Sequence, residues 1–90
     1  MDLILSRAAK KFIENLINKH AKQIVIKIKE LSDSIDAIDS KKLKGSKENY
    51  YRVDVGEYRI IYRYKKEILI IILIGKRNDN EIYNLFNKVY

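Results

Sequence analysis

The sequence predicts an α+β domain, and three features carry that prediction. Apolar residues recur at helical spacing through the first third, fall at alternate positions from Tyr50, and run without interruption from Ile68 to Ile74. Helices first, a run of strands next and a helix last is the pattern of a sheet covered by segregated helices. The expected order is a short N-terminal strand, a helical hairpin, an antiparallel β-meander and a C-terminal helix. All of it belongs to one domain, residues 1–90, because the chain has no proline, no repeat and no low-complexity linker.

Asp2 to Leu5 is short and apolar enough for the first strand, and Ser6 after it is a suitable N-cap. Ala8, Phe12 and Leu16, with Ala9, Ile13 and Ile17, form one helical stripe. The pattern breaks near Asn18 to His20, and Ala21, Ile24, Val25, Ile28, Leu31 and Ile35 form a second. Two amphipathic helices with a short turn between them make the hairpin. The Ser- and Asp-rich stretch Ser32 to Ser40 is expected to end the second helix.

From Tyr50 the period is two. Tyr51, Val53 and Val55 face one way, and Tyr50, Arg52 and Asp54 the other. Gly56-Glu57 suits a type II′ hairpin turn, with glycine first. Tyr58, Ile60 and Tyr62 continue the apolar face, Arg59, Ile61 and Arg63 the other, and Lys65 to Glu67 turn the chain again. Ile68 to Ile74 has no polar face, so it should be a central strand covered on both sides and ended by Gly75. Asn78-x-x-Glu81 matches a capping box, and Ile82, Leu85, Phe86 and Val89 line the buried face of the last helix.

Nineteen Lys and Arg against twelve Asp and Glu leave a net charge of +7. Such an excess favours a polyanion: nucleic acid, an acidic protein or anionic lipid. The longest apolar run falls well short of the roughly 20 residues that span a bilayer, so a soluble protein is expected. The opening MDLILSRAAKK has no basic stretch before its apolar run and no sustained hydrophobic region, so no secretory signal is expected. The lack of cysteine excludes disulfides and thiolate metal sites and fits a reducing cytoplasm.

The familiar catalytic constellations are missing. His20 is the single histidine and is expected in the interhelical turn, as a cap or surface residue. There is no HExxH, Walker loop or GxGxxG, and the carboxylates are scattered. An enzyme built on this chain is expected to use no metal, no cofactor and no histidine. What remains is Arg, Lys and Tyr. A two-residue turn at Gly56-Glu57 pairs Val55 with Tyr58, Asp54 with Arg59, Arg52 with Ile61 and Tyr50 with Arg63, all but the first on a polar sheet face. A plain solvated face would look the same. Lys76 and Arg77 lie just before the last helix, whose N-terminal N–H groups and dipole favour an anion. An arginine at the mouth of a loop is the plain alternative. Tyr83 lies off the buried stripe, as a packed edge residue or an exposed phenol.

The segments KLKG, Lys42 to Gly45, and YYRVDVGEYRIIYRY, Tyr50 to Tyr64, resemble the central hairpin of the RelE family of toxins. GKRNDNEIY, Gly75 to Tyr83, resembles that family's C-terminal motif. The resemblance covers the whole chain and is specific from Lys42 onward. It implies the RelE-like fold and the toxin component of a type II toxin–antitoxin system. The implied activity is a ribosome-dependent endoribonuclease, an mRNA interferase that cuts mRNA in the A site and so inhibits translation. Similarity places Arg59, Arg77 and Tyr83 on three functional positions and Arg52 on a position that is usually basic. Lys44, Arg63 and Lys76 are further candidate RNA contacts. Asp54 stands where another basic residue is common, and so is expected to modulate the site. The implied partners are an acidic RelB-like antitoxin, the ribosome and mRNA, with DNA reached only through the antitoxin, in the cytoplasm and away from membranes.

Such chemistry is physically sound without a metal. RNA supplies its own 2′-OH nucleophile. Arginines can stabilise the developing phosphorane charge, and tyrosine can move a proton or stack on a base. Two other readings fit the same residues: a ParE-like toxin that inhibits DNA gyrase, and a non-catalytic RNA-binding module or inactive toxin.

Overall fold

In the computed structural model, residues 2–34, 41–43, 49–78 and 81–89 are described. The elements are β1 (Asp2–Leu5), α1 (Arg7–Glu14), α2 (Asn18–Asp33), β2 (Lys41–Lys42), β3 (Tyr51–Val55), β4 (Tyr58–Lys65), β5 (Ile68–Lys76) and α3 (Glu81–Val89). They form one five-stranded sheet in the order β1-β5-β4-β3-β2. β1 lies parallel to β5, and the other neighbours are antiparallel. The α+β architecture read from the sequence is the one observed, with the two-residue edge strand β2 added to it. Two lysines give no alternation, so β2 left no signal. Among the described residues no helix is long and apolar enough to cross a membrane.

Strand β5 sits inside the sheet and is covered on both faces. On one side α1 and α2 bring Ala9, Ile24, Ile28 and Leu31 against Val53, Tyr58, Ile60, Tyr62, Leu69, Ile71 and Ile74. On the other, α3 brings Ile82 and Phe86 against Tyr50, Ile61, Ile72 and Leu73. The hairpin face expected to be polar is therefore mixed. Its β4 residue Ile61 is fully buried under α3, and charge is confined to the positions around it.

The two cores require a register change. Ile61 pairs with Leu73, but Tyr62 pairs with Ile71, so Ile72 is an extra residue in β5. A bulge of this kind leaves a ladder carbonyl unpaired. Ser6 fills the gap. Its hydroxyl donates to the Ile72 carbonyl at 2.6 Å and accepts the Ala9 N–H at 3.0 Å, while its own N–H donates to the Ile71 carbonyl. The N-cap read from the sequence thus also ties α1 to the bulge.

Several expected positions shift. α1 ends at Glu14, so Ile17 is not part of its stripe and is 65% exposed. α2 already begins at Asn18, which moves the break to residues 15–17. Its buried face is Ile24, Ile28 and Leu31, and that choice turns Val25 outward. Ile35 lies outside the described residues. His20 is within α2, half-buried, and shares a 2.6 Å hydrogen bond between its Nδ1 and the Tyr58 hydroxyl. Gly75 does not end β5, which runs on to Lys76. A Cβ on Gly75 would lie 3.0 Å from Cβ of Ile82, so the missing side chain lets α3 press onto the sheet.

Replacing Ser6 by Ala removes the helix cap and strands the Ile72 carbonyl. A loss of about 1–3 kcal/mol is expected, read as a lower urea midpoint with an unchanged slope. An unaltered midpoint would mean that water serves both groups equally well.

Candidate functional site

The turn between β3 and β4 sets the geometry. Val55 pairs with Tyr58 across Gly56-Glu57, and Gly56 has φ +56°, as a II′ turn requires at its first position. The register that follows is the expected one: Asp54 faces Arg59, and Arg52 faces Ile61. Tyr50 lies just before β3, and the Arg63 guanidinium sits over its ring, 5.9 Å from the centroid.

Arg59 is the centre of the site. Its Nε donates to Asp54 Oδ1 at 2.6 Å and its Nη2 to Asp54 Oδ2 at 3.2 Å, a two-pronged pair. Its Nη1 donates to the Tyr83 hydroxyl at 2.5 Å, and the guanidinium also lies 5.5 Å from the centre of the Tyr83 ring. Tyr83 comes from α3, so this arginine links the sheet to the C-terminal helix. The docking that places it is local. Arg59 is paired with Gly75, whose bare Cα lets Ile82 approach and carries Tyr83, the next residue, over the guanidinium.

The charges respond to one another. The hydrogen bonds from Arg59 hold the Asp54 carboxyl below its ordinary value, helped by the positive fields of Arg59, Arg52 and Arg77 and opposed by partial burial. The same hydrogen bonds, with a contribution from Tyr83, hold Arg59 above its ordinary value. Arg77 is exposed at the end of β5, where its backbone N–H donates to the Glu57 carbonyl at 3.0 Å.

The fold therefore gathers Arg52, Asp54, Arg59 and Arg63 on one sheet face, with Tyr83 packed over it and Arg77 at its rim. Lys76 is not gathered with them. It pairs with Tyr58, whose ring faces the helical hairpin, so it points to the opposite face of the sheet. Lys44 lies outside the described residues, as do residues 79 and 80 and the side chain of Glu81 in the expected capping box. Local sequence spacing alone reads Tyr83 as either a packed edge residue or an exposed phenol, and the structure packs it against Arg59. Its partnership with Arg59 follows from the close approach of Ile82 to Gly75, which has no local signature in the sequence. Among the described residues no three His, Asp or Glu side chains come together as a metal site would need.

Comparison with known proteins adds an independent line. The sequence profile of the family described as "ParE toxin of type II toxin-antitoxin system, parDE" matches residues 3–81. Among solved structures, RelE in the RelB–RelE antitoxin–toxin complex from Methanococcus jannaschii is 28% identical. It matches with a TM-score of 0.70, over 92% of this chain and 98% of that one. The isolated RelE toxin of E. coli is 25% identical, with a TM-score of 0.70 over 97% and 95% of the two chains. The RelE–RelB complex from Pyrococcus horikoshii, 22% identical with a TM-score of 0.66 over 84% and 93%, shares the fold. A search among curated proteins finds no match.

The ion pair makes a pH prediction. The folded Asp54 carboxyl lies below its ordinary value of 3.8, so its stabilisation is present in full above that value and is lost as pH falls through the folded one. The pair is partly exposed, so the effect is small, about 0.2–1 kcal/mol. Asp54→Asn should be less stable than wild type at neutral pH, and the gap should close in acid. A gap that stays constant from neutral pH to below pH ~3 would contradict the assignment.

Proposed function

The chain belongs to the RelE/ParE superfamily of toxins of type II toxin–antitoxin systems, and from that premise we propose that it is a ribosome-dependent endoribonuclease cleaving mRNA in the A site. One observation carries the reading: Arg59 is held between sheet and helix by Tyr83, on a face with Arg52 and Arg63 and with Arg77 at its rim. Cations with one phenol among them suit an enzyme that stabilises charge on a phosphate. The likeness to RelE structures at 25% and 28% identity supports the same choice.

In the proposed reaction the 2′-OH of the substrate attacks the adjacent phosphorus, and the bond from phosphorus to the 5′-oxygen breaks. The 2′-OH proton is lost and the leaving 5′-oxygen gains one. The products are a 2′,3′-cyclic phosphate, which can open to a 3′-phosphate, and a 5′-hydroxyl. Arg59 and Arg77 stabilise the dianionic phosphorane, where one well-placed donor contributes about 3 kcal/mol. Tyr83 exchanges a proton with a substrate oxygen or stacks on a base. The ribosome supplies the orientation of the RNA, which accounts for a site with little strong acid–base chemistry of its own.

The match to the ParE profile favours a second reading, a toxin that binds and inhibits DNA gyrase on this same scaffold. Primer extension on mRNA with and without ribosomes, run beside a gyrase supercoiling assay, separates the two. Ribosome-dependent cuts with cyclic or 3′-phosphate ends support the nuclease. Gyrase inhibition without cuts, or 5′-phosphate ends, would sink it. Within the nuclease reading, Arg77→Ala should reduce cleavage by about 10²-fold or more with the fold intact, and Arg77→Lys should also be impaired because a point charge does not replace a planar fork. An active Arg77→Ala protein would remove that residue from the mechanism.

The same reading includes an antitoxin. RelE of M. jannaschii and of P. horikoshii was solved bound to RelB, and a surface with a net charge of +7 favours an acidic partner of that type. Their association should slow as salt rises, because steering between unlike charges is screened over about 8 Å at physiological ionic strength. Association rates that do not change between low and high salt would count against steering.

A further inference from the structure

We propose that Asp54 is a built-in competitor for the substrate phosphate, its carboxylate occupying the edge of the Arg59 guanidinium that an RNA phosphate would take. The inference deepens the nuclease reading and rests on it.

The geometry of the pair is the first argument. Asp54 meets Nε and Nη2 with one oxygen each, which is how arginine forks onto a phosphate. Of the five guanidinium N–H groups, the carboxylate takes two and Tyr83 a third. Placement is the second. The Asp54 side chain is 37% exposed and that of Arg59 15%, so an incoming polyanion meets the carboxylate before the guanidinium. The third is rigidity. The two-residue turn fixes Asp54 directly opposite Arg59, and Tyr83 holds the guanidinium from the helix side, so Arg59 cannot turn to RNA elsewhere without losing both partners. Arg52 and Arg77 add positive field at the carboxylate, which keeps it ionised at neutral pH.

RNA can therefore use Arg59 fully only by displacing Asp54, and the displaced carboxylate then sits beside the phosphate and repels it. The wild-type site is restrained by its own anion. Removing the charge should strengthen RNA binding and expose one more cation to the counterion balance.

The test is fluorescence anisotropy of a labelled single-stranded RNA oligonucleotide titrated with the full chain at several salt concentrations, for wild type, Asp54→Asn and Arg77→Ala. Circular dichroism confirms folding, and Asp54→Ser serves if the asparagine variant does not fold. Asp54→Asn should bind RNA about fivefold or more tightly at fixed salt. Its plot of log affinity against log salt should steepen by about 0.7, one phosphate contact. A side chain that merely orients Arg59 would weaken binding and leave the slope alone. An unchanged or weaker affinity, or an unchanged slope, while Arg77→Ala still weakens binding, overturns the competitor and leaves the nuclease reading standing. Absence of salt-dependent RNA binding by the wild type, with no effect of Arg77→Ala, also overturns the competitor, while ribosome-dependent cuts in primer extension decide the nuclease reading separately.

Discussion

Seven apolar residues in succession, Ile68–Ile74, leave β5 without a face that can meet water. Each such side chain, fully buried, contributes about 1.5–3 kcal/mol, so the strand must be covered above and below. The helical hairpin covers one face and α3 the other. The bulge at Ile72 lets successive residues Ile72 and Leu73 serve the same core. The C-terminal helix is thus required by the strand before it, and its position over the sheet carries Tyr83 to Arg59.

The site is assembled from the margin of that packing. Arg59 stands beside a buried patch under α3, where a guanidinium loses part of its hydration. Asp54 and Tyr83 offset the loss by taking three of its N–H groups. Stability and chemistry therefore draw on one set of contacts. A change at Asp54 alters the free energy of folding slightly and the electrostatic state of the site more.

Much of this was legible in the sequence because it depends on local spacing. The switch from helical to alternate periodicity marks the hairpin and the meander, and Gly56-Glu57 fixes the register that sets Asp54 against Arg59. The features that were not legible depend on distant partners. Val25 matches the apolar stripe of α2, yet the helix packs through Ile24, Ile28 and Leu31, and a rotation of one residue exposes it. Lys76 adjoins Arg77 in sequence, but β-strand alternation sends it to the other face. The contact of Tyr83 with Arg59 spans 24 residues and follows from the close approach of Ile82 to Gly75. The second turn, Lys66-Glu67, has positive φ at both residues, 48° and 67°, without the Gly or Asn that usually marks such a turn.

The parallel pairing of β1 with β5 sets the order of events during synthesis. Asp2 pairs with Ile68 and Leu5 with Ile71, so the first strand made waits for the last. Contacts of such sequence separation slow folding, because a long loop must close before they form. The sheet cannot close until β5 has left the ribosomal exit tunnel, and Arg59 cannot meet Tyr83 until α3 has followed. A nascent chain therefore carries no complete Arg59–Tyr83 site until both β5 and α3 have emerged, so the site is among the last features of the fold to form.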